Sequence, residues 1–495
     1  MRRTLVCPEC GAPINHGVQI VSNDNPPFER FHCDACGREG ITEDLVLKRD
    51  FAKFSAAHPH GHVRGAGGGS LVFNPTGFPH MWRYSYAGGN GSPLSGGVAI
   101  DSGGTLDTAL CAKIARWHVT TLDISPWTNS DKPIHNTAFS VMRAANPRLK
   151  ILLYHLCNPC FQNLGPNPTS FDREAWLLAT SPTDLRLYDL EDGGAYPTEN
   201  PLSGALFDLN RAGPTTYANL WKKYGSFGDG WWLDIYIDRW SLYRINHHVN
   251  PALPAPGYAD TAAMDAAATA ALTAFAAQMN LDPRIKVGNS GAYSTLASHQ
   301  LLSPGGELFE NWPSTVQSWT FDMHMDRALA WQGTNPTGDG GIFIGGYTGG
   351  VADQTDINFA KQARFCLGCA CVAGGHSYCG NSGLIADSSQ DMLTWADEYT
   401  VNSSGVSDGT GTVAANRGWL GRPTALGFKH SSGCYVREFQ RGIVIVNGSG
   451  GTINHPLTGT WRRIQGVFAP SVNNGATVSG TVNVPTSDAR FLLRT

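Results

Sequence analysis

From Pro79 onward, short apolar runs alternate with stretches whose apolar positions recur every third or fourth residue. The first pattern predicts buried strands and the second predicts helices. Strands are expected near Met81–Tyr86, Val119–Ser125, Leu149–His155, Gly230–Ile237, Arg284–Gly291, Gly306–Trp312, Gly341–Tyr347 and Cys369–Tyr378. Helices are expected between them, over Leu106–Ala115, Asn136–Ala145, Thr215–Tyr224, Thr261–Met279 and Asp356–Cys366. The Ala-rich segment Thr261–Met279 is the clearest, because Asp260 precedes it as a cap and Asn280 follows it. Strands and helices in this alternation predict an α/β chain built on a (β/α)8 TIM barrel. The long Pro-, Asp- and Tyr-rich excursion after His155 reads as a βα loop over the active face.

The pattern changes near Ala425. Tyr435–Phe439, Gly442–Asn447, Thr477–Pro485 and Arg490–Arg494 are β-rich, lie between Gly and Asn turns, and carry no helical period. They predict a small antiparallel, sandwich-like β-domain. The expected organisation is a ribbon over residues 1–50, a linker over 51–78, the barrel over 79–424 and the β-domain over 425–495.

Composition narrows the class of function. Of the 495 residues, 15% are charged, and 58 are Gly and 14 Trp, which predicts a loop-rich, aromatic surface. A net charge of −4 gives no reason to expect nucleic acid as a partner. No apolar run is long enough to span a bilayer. Met1-Arg2-Arg3 starts like a signal peptide, but Cys7-Pro8-Glu9-Cys10 interrupts any apolar region. Secretion by that route is not expected, which leaves the cytoplasm or a viral or phage particle.

Cys7, Cys10 and Gly11 are repeated in type by Cys33, Cys36 and Gly37, with 22 residues between the two Cys-x-x-Cys pairs. This is the spacing of a zinc ribbon. Each Gly permits the tight turn that aims backbone amides at the thiolates. Four thiolates close the coordination shell, so the expected Zn2+ is structural. Such a ribbon serves as a docking module, with other particle proteins among its possible partners, or as a cap on the next domain. His58, His60 and His62 fall in the Gly-rich linker and read as a solvated loop.

The chemistry centres on Gly228-Asp229-Gly230-Trp231-Trp232-Leu233-Asp234. A Gly-rich turn leads into an aromatic strand, and Asp234 ends its apolar run. At the carboxyl end of a parallel strand that carboxylate reaches the rim where ligands bind. Trp231, Trp232, Tyr236 and Trp240 are expected to surround it with flat faces suited to sugar rings; an Asp that only caps the next turn is the other reading. Glu310, flanked by Phe309 and Trp312, places a second carboxylate at another strand end. Asp238 and Glu307 lie close to the two and leave the register open. Asp123, Tyr154, His155, Asn289, Tyr347 and His376, at further strand ends, are candidates for holding hydroxyls. Asp397 and Glu398 fall outside the βα alternation and read as a structural corner. Cys157, Cys160, Cys366, Cys369 and Cys371 read as structural cysteines, and no Gly-rich phosphate loop with a following Lys occurs.

Trp395–Tyr399, Trp419–Pro423, Arg437–Asn447 and the tail from Gly466 through Pro485 to Leu493 carry a family resemblance. Over residues 79–495 the chain resembles glycoside hydrolases with a TIM barrel and a small C-terminal β-domain, distantly similar to the α-galactosidase-like barrels. The resemblance implies one catalytic carboxylate after the fourth strand and one after the sixth, positions that fall on Asp234 and Glu310. Glycoside hydrolysis needs one carboxylic acid to protonate the leaving oxygen and one carboxylate to attack the sugar or activate water. An apolar flank raises the pKa of Glu310 and suits it as the acid, with Asp234 as nucleophile or base; the reverse assignment stays open. Trp232, Tyr236, Asp238 and Trp312, with the hydroxyl-holding candidates, would line a carbohydrate site. A glycan-binding or depolymerase component of a viral or phage particle is the alternative function.

Overall fold

In this computed structural model the described residues are 77–83, 115–123, 132–157, 159–161, 208–224, 228–234, 236–241, 257–289, 305–310, 320–334, 342–347, 357–380, 397–399, 401–402, 404–407 and 418–495, with shorter pieces elsewhere. The chain divides into two compact units, residues 1–67 and 68–495. In the first unit β1 (Leu5–Val6) pairs antiparallel with the later β5 (Val46–Leu47). The strands β2 (Gln19–Ile20), β3 (Glu29–His32) and β4 (Glu39–Ile41) form a separate antiparallel sheet. The expected zinc ligands Cys7, Cys10, Cys33 and Cys36 lie outside the described residues, as does most of the linker.

The second unit is built on a closed barrel of eight parallel strands. In chain order they are β6 (His80–Arg83), β7 (Val119–Asp123), β8 (Lys150–Leu156), β12 (Gly230–Asp234), β13 (Ile285–Asn289), β14 (Gly305–Glu310), β15 (Ile342–Tyr347) and β16 (His376–Gly380). The short strands β9 (Pro159–Phe161), β10 (Glu199–Asn200) and β11 (Gly204–Leu206) make a small sheet within the excursion after β8. Each barrel strand pairs with its sequence neighbours, and β16 closes onto β6. Described helices occupy five crossovers: α1 (Lys132–Ala145), α2 (Leu209–Ala212) with α3 (Pro214–Tyr224), α4 (Thr261–Met279), α5 (Phe321–Thr334) and α6 (Ile357–Ala373). The β6–β7 and β13–β14 connections lie largely outside the described residues.

Strand alternation sorts the side chains into two cores. Ile151, Leu153, Trp231 and Leu233 pack outward against Phe139 and Met142 of α1, Trp221 of α3 and Phe275 of α4. Leu152, Tyr154, Trp232, Val287 and Leu308 belong to the other cluster. Helix α4 has the expected bounds: the Asp260 carboxylate accepts from the Ala263 amide at 2.7 Å, and the run of Ala supplies propensity in place of a strong apolar stripe. One expectation fails. Cys369–Ala373 is not strand but the last turn and more of α6, which ends at Gly374-Gly375 before β16 starts. A short apolar run looks alike in a buried strand and in a helix buried on all sides.

The C-terminal strands β17 (Phe428–Lys429), β18 (Tyr435–Glu438), β19 (Gly442–Asn447), β20 (Ile453–Arg463), β21 (Thr477–Val484) and β22 (Asp488–Arg494) form one antiparallel sheet, in the order β17-β18-β19-β22-β20-β21. One face of β18, β19 and β22 joins the barrel core, where Gly368 of α6 admits Ala489: a Cβ on Gly368 would lie 2.5 Å from that of Ala489. The other face packs Val436, Ile443, Ile445 and Leu492 against Val482 and Val484 of β21 and Trp461 of β20. The eleven-residue β20 was not expected, because Pro456 and Gly459 interrupt its pattern.

Asp397 and Glu398 form the corner between barrel and sheet, both buried. The Asp397 carboxylate accepts the backbone amides of Val467 (2.7 Å), Phe468 (3.0 Å) and Ala469 (2.8 Å). Asn473 donates to Glu398 at 2.7 Å, and Arg364 pairs with Asp488 at 2.7 Å. We expect Asp397→Ala to destabilise the second unit by about 3 kcal/mol, since three backbone amides, that of Ala469 buried, lose a charged acceptor; chemical denaturation measures this.

A tight turn beside β18 is held by two imidazoles. His430 Nδ1 accepts the Ser432 amide at 3.0 Å, and Ser432 Oγ lies 2.9 Å from His455 Nδ1. Burial, then the neighbouring His430, hold His455 at about 4 against an ordinary 6.5. The folded chain therefore resists a proton that the unfolded chain accepts, and this contribution to stability is lost as pH falls from about 6.5 towards 4. Urea midpoints should fall across that window in the wild type, and less steeply in His455→Asn.

Candidate active site

The carboxyl ends of parallel barrel strands converge on one rim, so a polar residue at a strand end is carried there by the fold. β12 can enter the barrel close to β13 because its first residue is Gly230; a Cβ there would collide with the Ile285 carbonyl oxygen. The strand then runs through buried Trp231, Trp232 and Leu233 to the half-buried Asp234.

Asp234 is gripped from both neighbouring strands. The Tyr154 phenol on β8 donates to its Oδ2 at 2.6 Å, and the Asn289 amide at the end of β13 donates to its Oδ1 at 2.6 Å. Both donors are almost fully buried, with exposures of 2% and 5%. The main chain reinforces the arrangement: the Cys157 amide donates to the Asp234 carbonyl at 2.5 Å, and the Tyr236 amide donates to the Asn289 carbonyl at 2.7 Å. The Cys157 thiol is buried, and burial followed by the Asp234 charge pushes its pKa up, so it stays neutral. Tyr154 and Asn289 are thus donors to a carboxylate, a relation set by barrel order: Tyr154 lies near the end of the third strand and Asn289 ends the fifth, on either side of the fourth.

Glu307 and Glu310 separate by their position on β14. Pairing of Asn289 with Leu308 puts positions 308 and 310 in the pleat phase of Asn289 and Asp234, and position 307 in the opposite one. Glu310, the last residue of β14, is placed by its backbone, as are Asp123 at the end of β7, His155 on β8 and Tyr347 at the end of β15. Asp123 pairs with Tyr154, which brings it to the Asp234 side of the rim. His155 pairs with Leu233, whose side chain packs outward. Glu307 is buried and ion-paired to Arg327 of α5. Burial raises its carboxyl to about 7 in spite of that guanidinium. Its pairing with α5 makes it part of the barrel wall.

The aromatic residues around Asp234 are placed differently from the expectation. Trp231, Tyr236 and Trp240 belong to the core between strands and helices, and Trp232 to the other core; all four are completely buried. Their faces are spent on packing, so none offers a sugar platform in this structure. Asp238 is buried too, and after burial and Cys157 its charge helps to raise the Tyr236 phenol. His376 starts β16 rather than ending it, and its ring lies 5.0 Å from that of His80 at the opposite end of the barrel from Asp234. Trp312 lies outside the described residues.

Among the described residues no group of three or more His, Cys, Asp or Glu is placed to hold a metal ion. None of the described helices is long and apolar enough to cross a membrane. A carboxylate held by these two neutral donors and partly open to solvent can act, when ionised, as a nucleophile, a base or an electrostatic partner for a developing cation.

No protein-family model matches the sequence, and no curated protein does so significantly. Solved structures with partial similarity include the pullulanase from Bacillus acidopullulyticus, at 9% identity and a TM-score of 0.40, covering 99% of this chain and 72% of that one. SrfJ from Salmonella typhimurium aligns at 12% identity and 0.34, covering 84% and 89%. The type III pullulan hydrolase from Thermococcus kodakarensis aligns at 12% and 0.37, covering 87% and 84%. Similarity this low carries no argument about fold or activity.

Proposed function

We propose that the chain is a glycoside hydrolase with a complete (β/α)8 barrel, cleaving a poly- or oligosaccharide with Asp234 and Glu310 as its paired carboxylates. The observation that supports this reading most is the placement of Asp234 at the end of the fourth barrel strand, held by Tyr154 and Asn289. Two strands further round, position 310 ends the sixth strand in the same pleat phase. Asp234 stays ionised and attacks the sugar or activates water, and Glu310 protonates the leaving oxygen. Asp123, whose backbone pairs with Tyr154, is a further candidate for a substrate hydroxyl.

Aryl-glycoside and polysaccharide turnover by the wild type, Asp234→Asn and Glu310→Gln tests the reading. Both substitutions are expected to lower kcat by about a thousandfold or more with folding intact, since each removes a group made for the transition state. Unchanged activity in either variant contradicts the assignment. Binding on a glycan array without wild-type turnover would favour the particle-adhesin alternative.

The Cys7, Cys10, Cys33 and Cys36 set fits a structural zinc ion by its donor chemistry: four thiolates in two Cys-x-x-Cys pairs, each followed by Gly. Purified protein should contain one zinc per chain by elemental analysis, and Cys33→Ser should lose it; full zinc content in that variant would sink the proposal.

A further inference from the structure

We infer that Tyr154 and Asn289 are positioning residues for Asp234, and that their two hydrogen bonds select it as the permanently ionised member of the carboxylate pair. This rests on the proposed hydrolase reading and deepens it, because it assigns roles that the sequence leaves interchangeable.

A Tyr O–H and an amide N–H2 reach the two oxygens of one carboxylate, each at 2.6 Å. The Asn289 nitrogen can only donate, so the Oδ1 facing it carries no proton. The phenol can donate or accept, but a protonated Asp234 would have to place its hydrogen on Oδ2, the oxygen that already receives the Tyr154 proton. Both contacts are therefore fully used only by the anion, and hydrogen bonds to the charged form favour it. The donors are neutral, so they stabilise the anion without supplying a cation that would repel an oxocarbenium-like transition state.

Geometry gives the second half. The donors come from opposite sides, on β8 and β13, the two strands that pair with β12 among the described residues. Tyr154 is boxed in by the register pair with Trp232, which is fully buried, and the Asn289 carbonyl is tied by the Tyr236 amide. The two contacts fix the plane of the carboxylate. Trp232, one pleat step below Asp234 on the same strand face, forms a floor and not a stacking platform. A group held in this way loses no reorganisation at the moment of reaction. The same two residues are candidates for holding sugar hydroxyls; here the Tyr154 phenol and the Asn289 amide are directed to the enzyme's own carboxylate.

The test separates positioning from substrate binding and from mere structure. Protein labelled with 13C at aspartate carboxyls is titrated, with the Asp234 signal identified by its loss in Asp234→Asn. In Tyr154→Phe the Asp234 midpoint should rise by roughly one pH unit, as one of two favouring bonds is lost. The acidic limb of kcat/KM on any hydrolysed glycoside should move with it. Turnover kcat should fall by roughly 10- to 100-fold with KM little changed. Asn289→Ala, read in the same way, gives the second arm if Tyr154→Phe folds poorly. An unmoved Asp234 titration in the folded variants overturns the inference, and so does a raised KM with unchanged kcat, the sign of substrate binding. Should no glycoside be turned over, the hydrolase reading falls by itself while the titration still decides whether these residues position Asp234.

Discussion

The grip on Asp234 depends on the register of three adjacent strands. Tyr154 and Asn289 reach the same carboxylate only because β8, β12 and β13 run parallel, side by side, with Trp232 paired to Tyr154 and Leu233 to Gly288. A slip of one residue in any of the three would turn the donor outward and present an apolar side chain in its place. The closed barrel enforces that register: every strand has two partners, so none can slide alone. The apolar interior and the outer helix layer hold the strands, and the strands hold the charge.

The C-terminal sheet contributes to the same rigidity. Its inner face shares a core with the barrel through Phe439, Val444, Val446, Phe491 and α6, so the two are a single packed body rather than an enzyme with a tethered module. The corner at Asp397 and Glu398 secures it with charge. Three amides satisfy Asp397, while burial, reinforced by Asp397 and opposed by Arg364, raises the Glu398 carboxyl. Both corner carboxylates are buried and spent on structural donors, the amides for Asp397 and the Asn473 side chain for Glu398, whereas Asp234 is half-buried at a strand end.

Much of this was legible in the sequence where local pattern and global fold agree. The alternation of apolar runs and helices gave the eight strand positions, and the Ala-rich segment with Asp260 gave α4. The C-terminal change of pattern anticipated antiparallel strands, but they form one six-stranded sheet where a sandwich-like domain was expected. Pattern failed at Cys369–Ala373, where a helix buried on every side has no polar face to mark its period, and at β20, where Pro456 and Gly459 sit inside a long strand. The aromatic residues near Asp234 misled for a related reason: composition tells which side chains are apolar and flat, and only packing tells which of them remain uncovered. Trp231 and Trp232 are adjacent in sequence and enter different cores. Tyr154 and Asn289 were visible as polar residues at strand ends, yet their common target emerges only from the order of strands around the barrel.

The central claim is that Asp234 and Glu310 face one cleft as a catalytic pair, and it has a direct geometric test. A crystal structure of the protein would give the separation of the two carboxyl groups. The account predicts a separation between about 5 and 9.5 Å, with the shorter end implying retention and the longer end inversion of the anomeric centre. A Glu310 carboxyl turned into the barrel wall, or farther from Asp234 than a single sugar ring and a water can bridge, would contradict it.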